Sequence, residues 1–275
     1  MGFETKKEVL DWYEKQPRAL TDEFIANIAW KDVKNYELDE RLVPVLIYMR
    51  DVEVLTDMYH EELRRTPTGK DPHISKFMER WGIEEITHGE VINRFLNEAG
   101  IETGEKWKEQ VHRSVSSFYK ANTYLMTMLT NLIGEKFTAT HMAYGAIHEF
   151  SAGQSYRRLM KIANHPVLDE ILTAIMREES AHARFYASVA RIELSRSEFA
   201  RKAARFIIDK FYKPVGQGSR PKKQTHYAIG TLFSGDEGVE WFDRNVTQKA
   251  QAFPGFDDLT KVTDTIARIQ GKKFA

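Results

Sequence analysis

The stretch VLDEILTAIMREESAHARFYASVARIEL, residues 167–194, repeats its apolar side chains every three to four positions and then interrupts itself. Leu168, Leu172 and Ile175 open the stripe, Tyr186 and Val189 close it, and Glu179 and His182 stand between them. That rhythm predicts a packed helix whose inward face carries an acid and an imidazole one turn apart. Residues 73–99 repeat the plan, with Ile74, Met78 and Trp81, then Glu85 and His88, then Ile92 and Phe95. Two more stripes carry a lone acid: Leu46, Met49, Glu53, Thr56, and Met142, Gly145, Glu149, Ala152, Tyr156, Leu159.

Residues three apart share a helix face, so each Glu-x-x-His pair offers two groups to one point. Heights along the helices add a second condition. Glu53 lies twelve residues before the turn at Arg65, and Glu85 lies twelve residues after His73. At 1.5 Å per residue both stand about 18 Å from that turn. Glu149 precedes Ala163 by fourteen residues and Glu179 follows Val167 by twelve, so the second pair is nearly level as well. Each antiparallel hairpin thus presents a lone Glu and then Glu-x-x-His. With 26 Glu and 9 His, about 0.9 such motifs are expected by chance, against three present. The third, Glu109–His112, lacks a lone Glu on another helix, because Glu79 shares its helix with Glu85; it is read as a decoy, as is Asp57–His60.

Unpaired ionised carboxylates in a dry core cost several kcal/mol each, and two divalent cations would offset four of them. Oxygen and imidazole donors without thiolate suit iron or manganese. The pattern resembles the dinuclear carboxylate site of ferritin-like four-helix bundles. Glu53 and Glu149 are then expected as terminal ligands, Glu85 and Glu179 as bridges, and His88 and His182 as one imidazole per metal.

The rest of the chain is consistent with an all-α protein. Helices are expected at about 4–16, 21–30, 38–64, 73–99, 105–134, 138–163, 167–194, 196–213, 235–250 and 256–270, with an irregular loop at 213–226. The metal-binding bundle occupies about 38–195, and a basic flank with C-terminal helices fills 196–275, in one domain spanning 1–275. Lys+Arg and Asp+Glu are both 40, so overall charge argues for neither a nucleic-acid nor a membrane partner. Cysteine is absent, which excludes disulfides and thiolate sites. No apolar run approaches the ~20 residues of a membrane span, and the N-terminus has no signal-like apolar segment. The expectation is a soluble, cytoplasmic protein without membrane insertion.

WGIEEITHGE (81–90) and REESAHARFYASV (177–189) resemble the two iron-binding motifs of soluble acyl-[acyl-carrier-protein] desaturases, and DVEVLTDMY (51–59) and AIHEFSAGQSYRRL (146–159) resemble the helices bearing their lone Glu residues. The resemblance covers about 40–195. It implies the same six ligands, two iron ions, O2 as co-substrate, and a cis double bond inserted into a carrier-bound acyl chain with two external electrons. It implies an acid just before the second motif's Glu that orients a ligating histidine, matched by Glu178, and a Trp four residues before the first motif's Glu, matched by Trp81. It also implies acyl carrier protein and a small electron donor such as ferredoxin as partners, and a homodimer. The family's Thr three residues after the second lone Glu is Ala152 here, leaving Ser151 or Ser155 as substitutes for proton delivery.

Small residues flank Glu149. An acyl channel is expected along Met58, Tyr144, Gly145, Phe150, Ala152, Gly153, Leu172 and Met176, with close helix packing as the alternative use of the two glycines. Residues 196–223 carry nine Lys/Arg against Glu198 and Asp209. Arg201, Lys202, Arg205 and Lys210 are therefore expected to dock an acidic carrier or donor. The open alternatives are another diiron oxygenase (a hydroxylase or N-oxygenase) and a ferritin-like iron-handling protein.

Overall fold

Each long helix is started and stopped by residues suited to the task. The computed structural model describes residues 2–271, the side chains of Met126 and Leu129 excepted. Helix α1 is Lys6–Glu14, α2 Asp22–Asn27, α3 Val43–Val54, α4 Thr56–Arg64 and α5 Pro72–Glu98. The Asp71 carboxylate caps α5 by accepting from the His73 and Ile74 amides at 3.0 and 3.2 Å, and Pro72 fills the first helical position, where a missing N–H costs nothing. Helix α8 (Phe137–Ala163) ends at Asn164 in the left-handed conformation (φ 46°), and α9 (Pro166–Arg196) restarts two residues later behind Pro166. That tight turn folds α8 and α9 into an antiparallel pair, the most extensive interface of the molecule. Helix α3 lies along α5 as the second pair.

The remaining helices are α6 (Trp107–Ser114), α7 (Ser117–Ile133), α10 (Glu198–Phe211), α11 (Lys222–Leu232), α12 (Gly235–Phe242), α13 (Gln248–Gln251) and α14 (Lys261–Ile269). No β-strand forms among the described residues, and no helix of theirs is long and apolar enough to cross a membrane.

Several expected boundaries differ from the structure, and the last expected helix, 256–270, begins only at Lys261. The helix expected over 38–64 begins only after a 3-10 turn at Glu40–Leu42 and is interrupted at Leu55. The helix expected over 105–134 is two helices. Ser116 adopts an extended backbone (ψ 144°) and its hydroxyl caps α7 by accepting from the Tyr119 amide at 3.1 Å, a capping signal that outweighs continuity of the apolar pattern. Helix α11 occupies part of the expected 213–226 loop, beginning directly after Pro221. Between Phe242 and Gln248 the chain makes a π-helical turn, which divides the helix expected over 235–250.

One hydrophobic cluster runs from Val9 to Ile266, so the terminal helices share a core with the bundle. Helix α1 lies across α5 and α9 through an aromatic stack: Tyr13 meets Phe77 edge-on at 4.8 Å, and Phe77 lies parallel to Phe185 at 3.7 Å. Two glycines set helix approach beside the inward acids. A Cβ at Gly89 would stand 3.2 Å from the Arg50 carbonyl oxygen, marking where α5 touches α3 next to His88 and Glu53. A Cβ at Gly145 would stand 2.5 Å from the Tyr186 ring. Gly145 therefore serves helix packing, whereas a Cβ at Gly153 would meet nothing within 4 Å.

Gly145→Ala is expected to destabilise the protein by about 1–3 kcal/mol through overpacking, although alanine is the better helix former by about 1 kcal/mol. Urea unfolding of the two proteins checks this, and a more stable variant would contradict it.

Candidate metal centre

Helices α3, α5, α8 and α9 bring Glu53, Glu85, His88, Glu149, Glu179 and His182 to one level, all buried. Two overlapping groups of donor atoms result: Glu53, Glu85, His88 and Glu179, and Glu85, Glu149, Glu179 and His182, with the ligand atoms of each group within 4.8 Å of one another. Glu85 and Glu179 belong to both, which is the arrangement two bridging carboxylates require. The donors are held without being spent. One Glu85 oxygen, both Glu179 oxygens, and Nδ1 of His88 and of His182 lack a hydrogen-bond partner among the described residues. His88 Nδ1 lies 3.3 Å from Glu179, and His182 Nδ1 2.9 Å from Glu85, without hydrogen-bond geometry. Buried polar atoms this crowded fit a pair of divalent cations.

The outer ring nitrogens are tied down by a crossed pair of acids. Each acid directly precedes one motif's Glu and grips the other motif's histidine. His88 Nε2–H donates to Glu178 at 2.9 Å, and His182 Nε2–H donates to Glu84 at 2.7 Å. Burial would raise both acids, but hydrogen bonds from the histidines outweigh it. Tyr13 and Arg80 add to the effect at Glu84, and the Leu20 amide and Arg18 at Glu178, so both are held down at about 2. An ionised acceptor fixes each proton on Nε2 and turns the Nδ1 lone pair inward.

The N-terminal segment completes this outer layer. Tyr13 donates to Glu84 at 2.6 Å, Arg80 pairs with Glu84 at 2.8 Å, and Glu178 accepts from Arg18 and from the Ala19 and Leu20 amides at 3.0, 2.7 and 3.1 Å. Of these groups the sequence reading named only Glu178. The doubled acid, Glu84-Glu85 and Glu178-Glu179, was the signal for Glu84; Tyr13 and Arg18 had none.

Trp81, expected beside the ligands, lines the cavity that their carboxylates border; it stacks with Phe77, meets Tyr186 edge-on, and its indole N–H has no partner among the described residues. Several other expectations require correction. The Ser151 and Ser155 hydroxyls donate to the carbonyls of Ile147 and Ser151 on their own helix, so neither serves the carboxylates. The hydroxyl that reaches them is that of Tyr156, one further turn along α8, which donates to Glu53. The decoys stay outside the cluster, His112 pairing with Asp57 at 2.7 Å.

Glu149 and Glu179 wall two hollows. One is a cavity of about 400 Å³ that takes in Tyr144, Gly145, Ala152, Trp81 and Tyr186. The other is a groove of about 580 Å³ that takes in Phe150, Gly153 and Met176. Met58 lines neither; it packs against the small cluster formed by Val54, Leu55, Trp107, Val111 and Val115. Leu172 is fully buried in the main core and offers no surface to a ligand.

The groove also collects Arg157, Arg184, Arg191, Arg244 and Lys249, none ion-paired among the described residues. Burial and the nearby Arg157 charge lower the Lys249 pKa. On α10, by contrast, Lys202 pairs with Glu198, Arg205 with Asp209 and Asp258, and Arg201 donates to the Leu194 carbonyl. Of the four cations expected to dock a partner, Lys202 and Arg205 are ion-paired, while Arg201 and Lys210 have no ion pair among the described residues.

Without cations the cluster opposes its own charge. Burial raises Glu53 and Glu149 well above the carboxylate range, with the neighbouring acids adding to it, and Glu85 is pushed up to about 7. Burial would lower His88, but Glu178 and Glu179 outweigh it and raise it. Groups raised on folding stabilise at low pH and lose that contribution as pH climbs through their folded pKa. The metal-free protein is therefore expected to lose melting temperature between pH 5 and pH 8, and added ferrous or manganous ion should remove that slope. Thermal scans at four pH values, with and without metal, check this; a metal-free melting temperature that rises over the range would contradict it.

No curated protein matches the chain. A family model described as fatty acid desaturase matches residues 48–215, the stretch that contains all six inward groups and more than half of the chain. The chain belongs to the fatty acid desaturase family.

Proposed function

We propose that this protein is an O2-dependent diiron acyl-[acyl-carrier-protein] desaturase. The observation that carries the reading is a buried six-group donor set whose four carboxylates, Glu53, Glu85, Glu149 and Glu179, all border one cavity. The overall reaction takes two hydrogens from neighbouring carbons of the acyl chain. With O2, two external electrons and two protons, it yields an alkene and two waters. An iron pair held by Glu53, Glu85, His88, Glu149, Glu179 and His182 would supply the oxidation of an unactivated C–H bond, chemistry beyond any side chain.

The protein's own groups do the rest. Glu84 and Glu178 keep the histidine protons on the outer nitrogens. Tyr156 holds a proton at a Glu53 oxygen, supplying near the carboxylates a hydroxyl that Ala152 lacks. Trp81 and Tyr186 give the cavity an aromatic wall beside the carboxylates, which excludes water from the bound chain. Both hollows border Glu149 and Glu179, so a carrier seated at the cationic groove brings its acyl chain beside the carboxylates that line the cavity.

The five cations of the groove, none ion-paired among the described residues, suit an acidic partner, acyl carrier protein or a small acidic electron donor such as a ferredoxin, better than α10, where Lys202 and Arg205 are already paired. For the homodimer, α7 offers an exposed apolar face of Phe118, Leu125, Met128 and Leu132. Surfaces of this kind mark contact sites.

The test loads the protein anaerobically with ferrous iron, records the Mössbauer spectrum and iron content, then adds reductant, O2 and acyl carrier proteins of defined chain length. Two irons per chain and an alkene product are expected. An oxygen-bearing product would replace desaturation by hydroxylation or N-oxygenation, and iron in large excess over two per chain would point to iron handling.

Arg157→Glu with Arg244→Glu is expected to raise KM for the carrier-bound substrate about tenfold with little change in kcat. The effect should shrink at high salt, which steady-state kinetics at two ionic strengths checks.

A further inference from the structure

The cavity beside the carboxylates carries more hydrogen-bonding groups than a hydrocarbon chain can use. Most are already occupied. The Tyr144 hydroxyl accepts from the Lys213 amide at 2.9 Å, His148 Nε2–H donates to the Lys213 carbonyl at 3.0 Å, and Tyr59 is bonded to Ser219. Burial raises the Glu62 carboxyl, and the nearby Thr123 hydroxyl donates to the Lys120 carbonyl at 2.8 Å.

His141 differs. It lies on α8 eight residues before Glu149, about 12 Å along the helix axis, and lines the same cavity. Its Nδ1 is buried and without a partner, and neither ring nitrogen makes a hydrogen bond among the described residues. The Phe137 ring, one turn earlier, lies nearly parallel to it at 6.2 Å, an interplanar angle of 29°. Burial depresses its pKa to about 4, so at neutral pH the ring is uncharged and offers one donor and one acceptor.

Nδ1 is enclosed by protein, so a saturated chain would cover Nε2 and leave it unmatched, which is the costly arrangement for a polar group away from water. A hydroxyl is donor and acceptor at once and is the smallest substituent that answers a neutral imidazole.

We propose that the acyl chain taken by this enzyme carries a hydroxyl group in the part lying beyond the metal centre, and that His141 is the residue that selects it. The inference rests on the acyl reading given above and adds the substituent and its reader. His141 touches none of the six inward groups, so it acts on substrate choice and not on metal binding.

The test is equilibrium binding, by calorimetry, to the iron-loaded protein kept without reductant so that no turnover occurs. The probes are the pantetheine thioester of dodecanoic acid and the thioesters of its positional hydroxy isomers. At least one isomer hydroxylated in the distal half is expected to bind about tenfold more tightly than the plain chain, the equivalent of about 1.4 kcal/mol. His141→Leu should erase that preference while binding the plain chain at least as well. His141→Gln, which retains a donor and an acceptor, should keep part of it. Equal or weaker binding of every hydroxy isomer overturns the proposal, as does a preference that survives in His141→Leu. Failure of all thioesters to bind instead overturns the acyl reading itself, and the two failures are thereby separated.

Discussion

Four carboxylates held within a few ångströms of one another, out of water, repel each other, and this repulsion is what the rest of the structure answers. Burial raises Glu53, Glu85 and Glu149, while two histidines bring compensating charge only if protonated. The outer acids Glu84 and Glu178 decide which face of each imidazole looks inward. Because they stay ionised, the ring protons point away from the cluster and the free lone pairs point toward it. The result is a cluster poised to accept two cations, with little side-chain rearrangement required by the positions of its donors.

Much of this was legible from residue spacing. The level of the six inward groups followed from counting turns in two hairpins, and the all-α architecture followed from apolar periodicity. What stayed hidden follows physical lines. Helix breaks at Leu55 and Ser116 depend on local backbone choices that leave the apolar rhythm almost intact. Tyr13 and Arg18 reach the outer acids across 71 and 160 positions of chain, a distance over which periodicity carries no information. Tyr156 lay in the stripe and was visible as a core position, but its hydroxyl's aim at Glu53 is a matter of rotamer. Met58 and Leu172 failed as channel residues because a stripe of apolar side chains reads the same whether it fills a core or lines a hollow.

The two hollows flanking the carboxylates are chemically unlike. The groove is rimmed by cations without carboxylate partners, and the cavity is walled by aromatic rings with a few polar atoms set among them. A carrier with negative charge suits the first, and a mostly apolar chain suits the second. Placing Glu149 and Glu179 in the partition between them puts the chemistry where charge recognition gives way to shape recognition. Gly145 and Tyr186 show how tightly that partition is packed.

The grip of the first twenty residues on Glu84 and Glu178 has a bearing on how the protein is made. During synthesis this segment emerges before either acid exists, and its last partner lies in α9. Contacts closing loops of this length form late, so the histidines gain their fixed orientation only after four long helices have assembled. A donor set of the described geometry therefore exists only in the nearly finished fold.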